Sequence, residues 1–309
     1  MNFYKKHQHF YIPILFGVVL ISIGTRFIES YGIALFLLTP LLIGFLTTLL
    51  ISKNKPNELK LSTATLCGFI NTIAVSLTIL LVGVEGLICI IMASPILFLF
   101  VFIGCVISLA YVRRINHHPL PIILIGSTLF IGLSFAEKQQ KPSLSEVKTS
   151  LIIHAPIEKV WENVVTFPQL EEPTELLFKA GIAYPINATI EGEGIGAIRY
   201  CNFTTGSFVE PITTWNAPMH LAFDVLQQPA PMKEISYWNF DAAHLHDYFV
   251  SKNGEFRLKK IDENTTELTG TTWYTHRIYP EFYWRLWSNE IIHQIHYRVL
   301  NHIKNEAEK

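Results

Sequence analysis

Two rhythms of hydrophobic and polar positions divide the chain. Up to about residue 136, apolar residues run almost unbroken between short polar interruptions. Beyond residue 143 they alternate at strand spacing or recur at helix spacing. The first rhythm gives five apolar runs, 10–28, 31–51, 63–82, 86–112 and 119–135. A helix of about 20 apolar residues crosses roughly 30 Å of hydrocarbon. The first half therefore reads as an α-helical transmembrane bundle of about five spans. Pro95 inside the long fourth run predicts either a kinked span or a short interfacial piece followed by a span.

The second rhythm predicts an α+β domain. A strand over 147–154 is broken at Ala155 and Pro156, and a short amphipathic helix follows, with Val160, Trp161, Val164 and Val165 on one face. Strands are predicted over 186–191, 197–203, 208–215, 220–226, 248–251, 255–261 and 266–278. Gly192–Gly196, Thr204–Gly206 and Lys252–Gly254 supply the turns, and the Asn253-Gly254 pair is the strongest hairpin signal among them. Gln227–Pro231, with two prolines, ends the strand before it. A long amphipathic helix over 280–307 closes the chain, with Trp284, Trp287, Ile291, Ile295, Val299 and Ile303 as its apolar stripe. The domain boundaries are 1–137 for the membrane region, 138–145 for a short polar connector and 146–309 for the second domain. An antiparallel sheet curved around a long helix can leave an apolar cavity between them.

Charge divides the chain at the same place. Residues 1–142 carry ten Lys and Arg against four Asp and Glu, a balance of +6, and residues 143–309 carry 14 against 21, a balance of −7. An acidic domain lacks the basic face that nucleic acid or anionic headgroups require. Positive charges flank alternate turns: Lys5 and Lys6, then Lys53, Lys55 and Lys60, then Arg113 and Arg114. The other turns hold Arg26 with Glu29, and Glu85. The positive-inside rule then puts the N-terminus in the cytoplasm, and five crossings put the second domain on the non-cytoplasmic side. The first run continues too long for a cleavable signal peptide. Asn71, Thr72 and Ser76 are scattered polar residues without a charge ladder, which disfavours a channel or pump. Glu85 is read as an interfacial turn carboxylate rather than an intramembrane functional acid. Cys67, Cys89, Cys105 and Cys201 have neither disulfide-framework nor zinc spacing.

The order of elements, and the residues Ile152, His154-Ala155-Pro156 and Val160-Trp161 in particular, resemble the START-like superfamily, also called SRPBCC or polyketide cyclase/dehydrase-like proteins. The segments Gly181–Pro185 (GIAYP), Gly206–Ile212 (GSFVEPI), Gly254–Leu258 (GEFRL) and Gly270–Tyr274 (GTTWY) resemble a bacterial subgroup of it. The resemblance runs from about residue 146 to the end. It covers none of the first half and implies a helix-grip fold with a deep hydrophobic cavity; the membrane expected around the first half is a bacterial plasma membrane. Members include lipid carriers, hormone receptors and aromatase/cyclases, and fold does not choose among them.

Seven residues are cavity candidates: Arg199, Glu210, Phe223, Trp273, Tyr274, Trp287 and His296. A turn centred on Thr204-Thr205 sets Arg199 opposite Glu210, whereas a one-residue slip puts them on opposite faces. Trp273 and Tyr274 point to opposite faces, so at most one of them lines the cavity. His293 and His296 lie three apart on the final helix, and no matching carboxylate completes a metal site. His244 and His246 mark a candidate mouth loop over 239–247. No nucleophile elbow, phosphate loop or carboxylate pair is present, and no cofactor is expected. The leading expectation is a membrane-tethered module whose cavity holds an apolar small molecule or lipid, with the bilayer and that molecule as partners. A cyclase/dehydrase-type enzyme using Arg199, Glu210, Tyr274 and His296 is the alternative, and a protein-interaction module is the third reading.

Overall fold

The computed structural model describes residues 7–53, 58–113, 119–238 and 243–309. Lys5, Lys6, Lys55, Arg114 and the 239–242 part of the candidate mouth loop lie outside the described residues. The chain forms two compact units. One comprises Met1–Lys141, Glu234–Ala243 and Arg277–Glu281; the other comprises Pro142–Lys233, His244–His276 and Phe282–Lys309.

Among its described residues the first unit holds five helices, of 21, 19, 21, 26 and 20 residues, each long and apolar enough to cross a membrane. Helix α1 (Gln8–Ser22) runs on as a π-helix, Ile23–Ile28. A π-helix over Ala34–Leu38 leads into α2 (Thr39–Ser52), and α3 (Leu61–Leu81), α4 (Leu87–Val112) and α5 (Pro119–Lys138) follow. Pro95 lies inside α4, which is a single continuous helix. Small residues let the helices close up: a Cβ on Gly44 would clash with the Val101 carbonyl oxygen, and one on Gly104 with that of Leu41. Asn71 donates from Nδ2 to Thr47 Oγ1 at 2.7 Å and to the His9 carbonyl at 2.8 Å.

Glu85 is a turn carboxylate, as expected. It lies in the turn before α4, but it is buried and accepts the Tyr31 hydroxyl at 2.7 Å. A segment of the second half of the sequence joins this unit. Leu87 and Ile88 donate their N–H groups to the Ile235 carbonyl at 3.0 Å and to Glu234 Oε2 at 3.2 Å, which caps the first turn of α4. Trp238 donates its indole N–H to the Leu81 carbonyl at 2.5 Å.

The second unit is a seven-stranded antiparallel sheet with helices packed on one face. Its strands are β1 (Leu144–Ile153), β2 (Pro185–Glu191), β3 (Ile198–Phe203), β4 (Gly206–Asn216), β5 (His220–Asp224), β6 (Phe249–Asp262) and β7 (Thr265–His276). The spatial order is β1-β7-β6-β5-β4-β3-β2. Helices α6 (Ile157–Val165) and α7 (Leu176–Lys179) lie between β1 and β2, and α8 (Glu281–Ala307) ends the chain. This arrangement is a helix-grip fold. The core gathers Ile153, Val160, Trp161, Val164, Ile212, Leu221, Leu258 and Leu268 around Val299, Leu300, Ile303 and Ala307 of α8. The lower end of α8 is therefore the tightly packed end. Lys304 donates to the Ile152 carbonyl at 3.1 Å, and Arg298 donates from Nε to the Pro185 carbonyl at 3.1 Å, so α8 is tied to both edge strands.

The predicted hairpin at Lys252–Gly254 is not formed. Residues 249–262 are one strand with a bulge between Ser251 and Asn253, and the turn comes at Glu263-Asn264. Gly254 answers a packing need instead. A Cβ there would stand 2.7 Å from Phe223 Cζ and 3.3 Å from the Thr271 carbonyl oxygen. Asn-Gly reads as a turn only when both residues are free to take positive φ, and here the glycine makes room for a ring. Gly254→Val is expected to destabilise the unit by about 1–3 kcal/mol through overpacking. In a Phe223→Ala background the same substitution should cost less. Denaturant unfolding of the full chain in detergent measures both.

Candidate functional site: a cavity beneath the C-terminal helix

Strands β3 to β7 curve away from the middle of α8. Ile291, Ile295 and His296 therefore look across a gap rather than into packed side chains. The gap is a cavity of about 130 Å³. Its walls are mostly apolar: Phe203, Phe208, Phe223, Phe249 and Phe256 from the sheet, and Ile291, Ile295 and Val299 from the helix. An apolar cavity of roughly 150 Å³ accommodates a benzene-sized molecule.

One side of the mouth is built by the chain after β5. Gln228, Pro229, Ala230 and Pro231 line it. This segment is fastened along its length. Gln228 Oε1 accepts the Ser251 N–H at 2.8 Å, and its Nε2 donates to the Phe249 carbonyl at 2.6 Å, so a side-chain amide pairs with β6 where β5 has ended. Val209 N–H donates to the Gln227 carbonyl at 2.9 Å, and Thr205 Oγ1 to that of Ala230 at 2.6 Å. Two prolines would be costly inside a ladder; here they stand in the fastened mouth segment.

An ion pair sits in the cavity wall. Arg199 on β3 faces Glu210 on β4, the register that a Thr204-Thr205 turn requires. Both side chains are buried, and Arg199 Nη1 donates to Glu210 Oε2. Arg199 Nε also donates to the Val165 carbonyl at 3.3 Å. Its guanidinium carbon lies 5.5 Å from the centre of the Phe223 ring and 5.7 Å from those of Phe167 and Phe256. Cation–π attraction of this kind strengthens when water is excluded. Burial works to lower the Arg199 pKa, but Glu210 and Cys201 together outweigh it, and the net direction is upward, so the guanidinium stays charged. Beside the pair, burial and then Glu210 push the Cys201 thiol up to about 12, which makes it an inert lining group rather than a nucleophile.

The other polar feature is a hydrogen-bonded chain. Thr149 Oγ1 on β1 stands 2.8 Å from His293 Nδ1 and 3.0 Å from His296 Nδ1, and His296 Nε2 stands 2.8 Å from Thr272 Oγ1 on β7. Burial, and then His293, lower the His296 pKa to about 4, so the ring is neutral near pH 7.

The structure brings Arg199, Glu210, Phe223 and His296 together around the cavity. Trp273, Tyr274 and Trp287 do not line it. Trp273 points to the outer sheet face, where its indole N–H donates to Glu146 Oε2 at 3.2 Å. Tyr274 points inward but fills a separate cluster with Val147 and Ile292, and its hydroxyl donates to Asn289 Oδ1 at 2.7 Å. Trp287 stands half-buried on α8 one turn before Ile291, off the cavity. The histidines of the candidate mouth loop are likewise elsewhere: His244 falls in a 3-10 turn, Ala243–Leu245, and neither it nor His246 lines the cavity. Sequence reasoning missed Gln228, Thr149 and Thr272. The two prolines of 227–231 were a usable signal for an irregular segment, whereas inward threonines on strands carry none.

Comparison with protein-family models finds no match, and a search of curated proteins finds none. Solved structures similar to the chain include a protein from Nitrosospira multiformis, 15% identical, covering 53% of this chain and 96% of that one with a TM-score of 0.35. The Zhui aromatase/cyclase from Streptomyces sp. R1128 is 15% identical over 54% of this chain and 94% of its own, with a TM-score of 0.34. A norcoclaurine synthase from Thalictrum flavum is 10% identical over 54% and 96%, with a TM-score of 0.33.

The lowered His296 pKa has a consequence for acid stability. Its folded value of about 4 lies below the ordinary 6.5, so the unfolded chain takes up the proton first as pH falls. The stability from this group is complete above pH 6.5, declines between 6.5 and 4, and is lost below that; its full size is about 3 kcal/mol. Denaturant unfolding of the full chain at pH 7.5, 5.5 and 4 should show a smaller loss for His296→Phe than for the parent.

Proposed function

We propose that the protein is a membrane-tethered binding module whose cavity holds an apolar small molecule or the apolar part of a lipid. The observation that carries this reading is the cavity itself: phenylalanine and isoleucine walls with a few placed polar groups, the usual make-up of a small-molecule site. Two features favour binding over catalysis. Arg199 and Glu210 are spent on each other, and both nitrogens of His296 are engaged by threonines. Acid–base chemistry needs such groups free to reach a substrate proton, and Tyr274, the fourth candidate, stands outside the cavity.

Tethering is supported by the five apolar helices and by the path of the chain. It passes from one unit to the other five times, at Lys141, Lys233, Ala243, His276 and Glu281. The proposed topology has a cytoplasmic N-terminus, five crossings and the sheet unit outside the cytoplasm, from the charge pattern of the turns. A reporter fused after Lys309 should be active only on the non-cytoplasmic side.

The binding reading is tested by native mass spectrometry of the purified full chain after incubation with a membrane extract. A discrete adduct in the parent is expected, together with its loss in Ile295→Trp, which fills the cavity. Equal adducts in both proteins, or none in either, would contradict the proposal.

A further inference from the structure

The Thr149 hydroxyl carries one proton and stands within hydrogen-bond distance of two imidazole nitrogens, His293 Nδ1 and His296 Nδ1. The hydroxyl can accept twice but donate once, so both bonds form only if at least one of the two nitrogens is protonated. Two arrangements with the same number of protons use the Thr149 proton between the two rings. In the first, His296 Nδ1–H donates to Thr149, and Thr149 donates to His293. His296 Nε2 is then bare and accepts the Thr272 hydroxyl, whose remaining oxygen lone pairs can only accept. In the second, His293 Nδ1–H donates to Thr149, and Thr149 donates to His296 Nδ1. His296 Nε2–H then donates to Thr272 Oγ1, and the Thr272 proton is free to be given away.

Thr272 lines the cavity, and His296 is the side-chain partner recorded for its hydroxyl among the described residues. The tautomer of His296 therefore decides whether the hydroxyl offered to the cavity accepts or donates. Thr149 is buried, which keeps water from competing for the central bond.

We propose that the Thr149–His296–Thr272 chain makes the Thr272 hydroxyl a reversible polar handle, so that the cavity takes an apolar, ring-sized molecule bearing one oxygen, as either a hydroxyl or a carbonyl. This rests on the binding reading above and adds the ligand's chemical class. A hydroxyl ligand pairs with either arrangement, donating to Thr272 in the first or accepting from it in the second. A carbonyl ligand selects the second by accepting from it. A fixed acceptor would take the hydroxyl and reject the carbonyl, because a buried mismatch leaves a polar group unpaired.

Cyclohexane, cyclohexanol and cyclohexanone form a matched series for the test. Each is titrated into the full chain in detergent while the methyl NMR signals of Ile291 and Ile295, both in the cavity wall, are followed. Cyclohexanol and cyclohexanone are each expected to bind about tenfold more tightly than cyclohexane, and within about threefold of one another. Thr272→Val should bring both back to the cyclohexane value and leave cyclohexane unchanged, and Thr272→Ser should keep the gain. A gain for only one of the two oxygens, or a gain that survives Thr272→Val, overturns the handle while leaving the binding reading in place. Failure of cyclohexane itself to perturb these methyls overturns the binding reading and the handle with it.

Discussion

The grip of the sheet on one end of α8 is the constraint from which the rest follows. Val299, Leu300, Ile303 and Ala307 are packed among Ile153, Val160, Leu258 and Leu268, and the helix end is tied to β1 and β2 by Lys304 and Arg298. Burial of four such apolar side chains fixes the helix position, at about 1.5–3 kcal/mol for each of the larger ones. The strands twist, as all strands do, and so depart from a straight helix along its length. The middle of α8 is left facing a gap, and Ile291 and Ile295, which periodicity marks as core, become cavity wall.

A gap of this kind keeps its shape only if the groups around it have nothing to gain by collapsing inward. The buried polar groups meet that condition because they are satisfied by the protein. Arg199 is held by Glu210, the Val165 carbonyl and three phenyl rings. His296 is held at both nitrogens. Gln228 takes the place of a missing strand partner. What remains for a ligand is a mostly apolar wall with a few polar groups, among them the Thr272 hydroxyl, whose hydrogen-bonding sense is set by its neighbours.

Much of this was legible in the sequence, for physical reasons. Runs of about 20 apolar residues with no strand alternation read as helices long enough to cross a membrane, and the start of the sheet unit was marked by Pro156 and the Val160-Trp161 face. The Arg199–Glu210 pairing followed from a two-residue turn at Thr204-Thr205, because register is arithmetic once the turn is placed. Other features were hidden because they depend on partners far along the chain. Asn253-Gly254 looks like a turn until Phe223 is known to lie against it. Tyr274 and Thr272 share a face, and only the position of α8 decides that the threonine reaches the cavity and the tyrosine does not. Glu234 and Trp238 carry nothing in their spacing to say that they return to the ends of α3 and α4.

The central claim is that the space beneath α8 is a real apolar cavity rather than a seam closed by side chains. Crystallography of the protein under xenon pressure tests it most directly, because xenon enters dry apolar cavities of this size without needing a specific contact. Xenon density bounded by Phe223, Phe256, Ile291 and Ile295 is predicted. A structure with no xenon there, and those side chains packed against one another, would contradict it.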